Sequence, residues 1–428
     1  MVNIDRIVVI HDYSEAEGGA GTLAMEAIRQ YRSRGYPVTL ITGELSNAPL
    51  DALGVSVVGL GSKSLLARSK LEALRNGIHN SATIRRVRAW IDENDTPGTV
   101  YHLNNWAQIL SPTIYKALRP VADRTLVTCH DFFNVCPNGS FLHFDTSTTC
   151  HLKPLSAKCF FSQCDRRSAL HKYWRFARHV HLNQLADFDN NPSTFAFIHK
   201  QMRDKFVRSG FEAPNTAIIP NPVSAWTSDR IRAEENSGFL FVGRVGRDKG
   251  ADIALRAARD AGEKITIIGA GELTKDAAAF PNATFTGWLG PEEIADHARK
   301  ARALIVPSRV TEPFGLVILE AAVSGLPVIV SDSAYLSRDV DELGFGKRVS
   351  VLDEAALVDV LKTFAREDDV IRAMSKRATE VARSLCHTPE SWADAHISVF
   401  SGKLAAASAR QEAIASKIGQ VATADPCS

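Results

Sequence analysis

The feature that most constrains this chain is a rhythm that runs twice. Short apolar, β-branched stretches at Ile7 to Ile10, Val38 to Thr42, Val55 to Leu60, Val100 to Leu103 and Leu126 to Thr128 alternate with longer amphipathic segments. Runs this short suit buried strands, and the helical segments between most of them supply the crossovers that parallel pairing requires. A second series follows at Phe239 to Val242, Ile265 to Ile268, Thr284 to Thr286, Ala303 to Val306 and Val328 to Val330. The expected fold class is therefore α/β, with the same helix-wrapped parallel sheet built twice.

Between the two series, Ile218-Ile219-Pro220-Asn221-Pro222-Val223 leads into a polar stretch, Ser224 to Ser237, where prolines and charges break all periodicity. A hinge is expected there. The division that follows is residues 1–222, with an irregular insertion at about 132–170, then 223–385, then helices and a tail over 386–428 that pack back on the first domain. Leu404 to Ala424 is Ala-rich with scattered charge and reads as a solvated helix or a frayed end.

At 428 residues the chain can bury more than one core, and 50 Lys and Arg against 48 Asp and Glu give a net charge of +2. That balance argues against a dedicated nucleic-acid binder. The apolar run at Ile7 is cut short by His11 and Asp12, and no stretch approaches a membrane span, so the expected compartment is the cytoplasm. Seven cysteines, an odd number, read as reduced thiols.

Chemistry-bearing residues gather where strands end. After the first strand, Gly18-Gly19-Ala20-Gly21 precede the helical pattern Leu23 to Tyr31; small residues there bring backbone N–H groups close to an anion, or simply make a tight turn. In the second half, Val242-Gly243-Arg244 and Lys249-Gly250 deliver two cations to a sheet edge, a pairing suited to a diphosphate. Glu312-Pro313-Phe314-Gly315-Leu316-Val317-Ile318-Leu319-Glu320 then places one carboxylate in a loop and a second inside the helix beyond Gly315. Free N–H groups of that helix would meet a phosphate, and Glu320, in apolar company, needs a partner: a ribose diol or an internal salt bridge. His130, after a strand and beside Asp131, reads as a cleft residue or a structural one.

Taken together, the Glu312 to Glu320 spacing, Arg244 with Lys249, the glycine loop and the His130-Asp131 pair resemble the retaining glycosyltransferases of family 4, over most of the chain to about residue 400. The resemblance implies the GT-B fold, two Rossmann-like domains facing across a cleft. It implies transfer of a sugar from a UDP-, GDP- or ADP-sugar to a glycan or lipid-linked acceptor hydroxyl with retained configuration, in polysaccharide or glycolipid assembly, with no cofactor or catalytic metal required. Arg244 and Lys249 would hold the diphosphate beside Gly315, Leu316 and Val317, Glu320 the ribose, and Glu312 the sugar hydroxyls. His130 would face the donor sugar and Gly18 and Gly19 would line the cleft. A catalytically silent sugar-nucleotide-binding scaffold and an epimerase of the same fold are the alternatives.

Two further features stand apart from the motif. Cys136, Cys150, Cys159 and Cys164 fall in the aperiodic insertion and form a candidate set for structural zinc, the alternative being buried free thiols. Two basic stretches, Lys63 to Arg88 with leucines Leu65, Leu66, Leu71 and Leu74, and Arg166 to His179 with Tyr173, Trp174 and Phe176, are candidates for contact with an anionic membrane at its inner face, or plain solvated helices.

Overall fold

The computed structural model describes residues 3–16, 18–45, 53–65, 67–146 and 148–422, with side chains to 409 at the C-terminal end. Glu17, Leu66 and the last residues of the Ala-rich stretch lie outside the described residues. Seven parallel strands form the first sheet: β1 (Arg6–His11), β2 (Val38–Thr42), β3 (Val55–Gly59), β4 (Thr99–Leu103) and β5 (Thr125–Cys129). They are joined, past a small hairpin of β6 (Leu142–His143) and β7 (Thr148–Thr149), by β8 (Thr194–Phe197) and β9 (Asn215–Ile218). Their order is β3-β2-β1-β4-β5-β8-β9, which reverses direction between β1 and β4.

The second sheet repeats the plan with β10 (Phe239–Val242), β11 (Ile265–Ile268), β12 (Ala283–Gly287), β13 (Ala303–Val306), β14 (Val328–Ser331) and β15 (Gly346–Val349), ordered β12-β11-β10-β13-β14-β15. The reversal now falls between β10 and β13. In open sheets of this kind the crevice at such a reversal, outside the strands' carboxyl ends, is where ligands bind. Every expected strand is present, and the central ones are apolar on both faces: Ile7, Val8, Val9 and Ile10 are all fully buried. The short strands β8, β9 and β15 went unread, the last two because edge strands such as Asn215–Ile218 and Gly346–Val349 carry polar residues on their open side.

The chain crosses between the sheets twice, and the crossings bond each other. Val223 N–H donates to His387 O (2.9 Å) and His387 N–H to Asn221 O (3.3 Å). After the return, the helix Pro389–Ala422 lies on the first sheet, burying Trp392, Ala393, Phe400 and Leu404 against Ile7, Val9 and Tyr31. Tyr31 Oη sits 2.9 Å from Nδ1 of both His102 on β4 and His396 on that helix, donating to one and accepting from the other. His102 Nε2 meets Thr128 Oγ1 at 2.8 Å. Burial, with His130 next, drives the His102 imidazole down to about 3, so this polar strap is held in its neutral form.

One expectation needs correction. The thiols do not assemble a metal site: among the described residues no three His, Cys, Asp or Glu side chains are gathered to hold an ion. A buried ammonium sits among them instead. Lys172 Nζ donates to Cys164 Sγ (3.0 Å) and Cys159 Sγ (3.6 Å), while the Cys136 thiol donates to Asn138 Oδ1 (3.2 Å). The first basic stretch folds as two helices. It breaks into Lys70–Ile78 and Ser81–Asn94, because Asn80 turns its side chain onto Thr83 N–H (3.3 Å) and caps the second helix.

Candidate active site

At the carboxyl edge of the second sheet, β10 ends in Gly243 and Arg244, and the loop returns through Lys249 to Gly250, where the helix Ala251–Ala261 begins. Gly250 has φ +73°, and a Cβ there would stand 1.9 Å from Pro307 O, so only glycine lets this loop pack on the end of β13. That close approach brings Lys249 to the next loop. Its Nζ lies 2.5 Å from Glu312 Oε1, which also accepts from Ser308 Oγ at 2.6 Å. Ser308 is buried, and its carbonyl is held by Ser331 Oγ at 2.8 Å. Arg244 pairs with Asp248 within its own loop. Arg309 grips Asp252 through both guanidinium nitrogens, at 2.7 and 2.9 Å, and fixes the two loops against each other.

Beyond Glu312, Gly315 takes φ +70° and starts the helix Leu316–Val323. Leu316 and Val317 form its first turn, whose N–H groups have no intrahelical partner. Glu320 lies in the second turn and faces a cleft lined by Trp226, Pro291, Ile294 and Arg299. Burial raises its carboxyl to about 7, against a smaller opposing effect of a hydrogen bond from Trp226. Among the described residues Glu320 forms no ion pair, although Arg299 lines the same cleft.

The first sheet offers a different edge. The helix after β1 begins at Gly18 itself, earlier than the pattern Leu23 to Tyr31 suggests, so Gly18 to Gly21 form its first turn. A Cβ on Gly19 would come within 4.0 Å of Leu316 Cδ1, so the two helix starts meet across the molecule. Asp12 is buried and accepts three backbone N–H groups, from Gln108 (2.7 Å), Ile109 and Leu110 (2.9 Å each), so its charge organises a loop. His130 follows β5, half-buried, with Nε2 3.1 Å from Asn104 Oδ1. Burial, then His11, lowers its imidazole to about 3, and burial raises Asp131 to about 6.

One residue that the sequence did not single out joins the two edges. Tyr335 donates its N–H to Glu312 O (3.1 Å) and accepts Gln201 Nε2 on its own carbonyl (3.1 Å). Its ring stacks on His199 at 5.7 Å and meets the edge of Phe132, two residues past His130, at 6.4 Å. A lone tyrosine in a Ser-rich loop carries no motif; only the folded chain shows that it spans the seam.

Two facing sheets with this reversal, and with cations, carboxylates and a helix start on one edge of the cleft, define a GT-B glycosyltransferase architecture. The chain belongs to glycosyltransferase family 4: residues 18–222 match the glycosyl transferase 4-like domain and 236–366 the glycosyl transferases group 1 model. A D-inositol 3-phosphate glycosyltransferase of Nocardia farcinica is 32% identical over 171 residues, 35% of this chain and 38% of the relative. The chain thus aligns with little over a third of that relative's length. Among solved structures, sucrose-phosphate synthase of Thermosynechococcus elongatus superposes with a TM-score of 0.69 at 18% identity, covering 94% of this chain and all of the other. HepE of Anabaena, solved in complex with UDP, gives 0.66 at 15%, covering 93% and 100%. At these identities the superpositions speak for the fold.

Proposed function

We propose that the chain is a retaining glycosyltransferase that moves a sugar from a nucleoside diphosphate to an acceptor hydroxyl in polysaccharide or glycolipid assembly. The observation that carries this reading is the Lys249–Glu312–Ser308 cluster, set beside Arg244 and the start of the helix Leu316–Val323. As the glycosidic bond breaks, negative charge grows on the departing diphosphate, and two cations with a helix N-terminus are placed to stabilise it without moving. In this reading the diphosphate competes with Asp248 for Arg244 and with Glu312 for Lys249, freeing Glu312 to bind sugar hydroxyls. Glu320 takes the ribose diol, His130 addresses the donor sugar as a neutral imidazole, and the departing phosphate takes the acceptor proton. The working division is 1–222 for the acceptor, 223–385 for the donor and 386–428 as the strap. HepE was solved with UDP, which makes a uridine donor the first to test.

The test is thermal melting against UDP, GDP and ADP. At about 100 times the dissociation constant, binding adds roughly 2.7 kcal/mol, a visible shift. One nucleotide should shift the wild type and leave Arg244→Ala unmoved. If none of the three shifts the wild type, the donor assignment fails.

A further inference from the structure

The helix Ala169–Ala186 buries Leu182 and Ala186 near its end, but its earlier turns are built inside out. Its inward face carries Lys172, 1% exposed, and Arg178, 5% exposed, together with His179, while Leu170, Tyr173, Ala177 and Val180 share the outward face at i, i+3, i+7 and i+10. The inward charges are satisfied. Lys172 meets two thiols, and Arg178 donates to Gly77 O (2.8 Å) and Ala107 O (2.7 Å). The outward leucine is 79% exposed, the reverse of what a solvated amphipathic helix presents.

The apolar surface continues onto both neighbours. Phe160 packs on Tyr173 and Phe176, each at 5.0 Å between ring centroids, and its neighbour Phe161 is 74% exposed. On the other side Trp174 Nε1 donates to Leu74 O (2.9 Å), joining the helix Lys70–Ile78, whose Leu71 and Leu74 are both exposed. Six of the thirteen exposed large apolar side chains among the described residues thus belong to three touching helices. Around them stand exposed Lys70, Arg75, Lys158, Arg166 and Arg167, while the one exposed acid of these helices is Glu72; Asp165 is buried against Arg175 at 2.7 Å. Scattered exposed leucines need no explanation, but six exposed apolar side chains on three touching helices, among five exposed cations and one exposed acid, do.

We infer that this face, Leu71, Leu74, Phe161, Leu170, Tyr173 and Val180 within a ring of cations, docks the protein on an anionic lipid bilayer. Apolar side chains enter the acyl boundary while Lys and Arg meet the headgroups, a chemistry that a neutral bilayer or an uncharged protein surface would not reward equally. Arg166 also lies 4.0 Å from Glu272 of the second sheet's half, so the docked face borders the mouth of the cleft. A lipid-linked acceptor would then reach the cleft from the surface on which the protein rests.

Cosedimentation of the full chain with vesicles tests this. The wild type should pellet with vesicles containing phosphatidylglycerol and not with pure phosphatidylcholine, and added salt should release it. Leu170→Ser combined with Phe161→Ser should weaken the partition about tenfold with an unchanged melting temperature, since both side chains are in solvent. Lys158→Glu with Arg167→Glu should abolish the preference for the anionic lipid. A wild type that stays in the supernatant, or variants that pellet equally, overturns the inference. So does self-association seen by sedimentation velocity and lost in the Leu170→Ser variant, which would assign the face to a second copy. The nucleotide melting shift should persist in every one of these variants, so failure of docking and failure of the donor reading are separately visible.

Discussion

The two halves share a strand order and a reversal point, yet they place opposite kinds of chemistry at their carboxyl edges. In the second half the edge is ionic. Arg244, Lys249, Asp248 and Glu312 stand on loops, paired with each other at the surface of the cleft. In the first half the acids are held by backbone and hydroxyl donors: Asp12 accepts from three backbone amides, Glu44 accepts from Ser14, and burial keeps His130 neutral. An edge with loosely paired ions is suited to exchanging them for a charged ligand; an edge of buried neutral groups is suited to hydrogen-bonding an uncharged one. On the proposed function, the same scaffold would serve the phosphate with one half and the sugar and acceptor with the other, by the side chains that each half leaves unburied.

The sharpest way to break this contrast is to remove the ammonium from the ionic edge. Lys249→Ala should lower turnover on the order of a hundredfold to a thousandfold, because it removes a fixed charge where the leaving group develops its own. Folding should change little, since Lys249 is partly exposed and its pair with Glu312 is a modest contributor in water. A steady-state assay with the donor found by melting decides it. Turnover within a factor of about three of the wild type would place the leaving group elsewhere.

Glu320 sharpens the comparison from the side of stability. Its carboxyl is raised to about 7 in the folded chain, so between about 4.5 and 7 the native state binds a proton that the unfolded state has released. Stability from this group is therefore present below 4.5 and is lost as pH rises through 7, a cost on the order of 3 kcal/mol at pH 8. Glu320→Gln should recover most of that cost, melting higher than the wild type at pH 8 and about equally at pH 5. The same variant should lose nucleotide binding, because the amide no longer accepts from both hydroxyls of a diol. A Gln variant that melts lower at pH 8 would show that the buried carboxylate has a partner that this cleft does not reveal.

Most of this architecture was legible because buried parallel strands announce themselves. Ile7 to Ile10 or Ala303 to Val306 must be apolar on both faces, so four residues suffice. The phosphate edge was legible for a related reason: Gly243, Gly250 and Gly315 mark tight loops, and charged residues beside them have few places to go. What did not show were contacts between residues distant in the chain. Lys172 looked like one cation among five in its stretch, and only folding turns it onto Cys164 and leaves Leu170 outside. Tyr335 carries no motif, yet it holds Glu312 and Phe132 in one seam. The strap formed by Tyr31, His102 and His396 joins residues more than 350 positions apart, and no local pattern reports such a network.

That strap supplies the mirror image of the Glu320 experiment, in the other half. His102 is pushed down to about 3, and burial, then His102, puts His396 well below its ordinary value. For a histidine shifted this way, stability is fully present above about 6.5 and is lost as pH falls toward the folded value, because the unfolded chain takes up protons that the native strap refuses. Between pH 6.5 and 5.5 each histidine contributes a loss of up to about 1.4 kcal/mol, with its slope growing toward the lower end. His396→Phe should flatten the loss of melting temperature below about pH 6.5 while leaving the opposing change from Glu320, which spans about 4.5 to 7, where it was. Acid would then unfasten the C-terminal helix from the first sheet, while a rise toward pH 7 would strain the second. An acid limb unchanged in His396→Phe would mean that the first half loses its stability at low pH through another group, and Asp131, raised to about 6, titrates in the opposite sense and could not be that group.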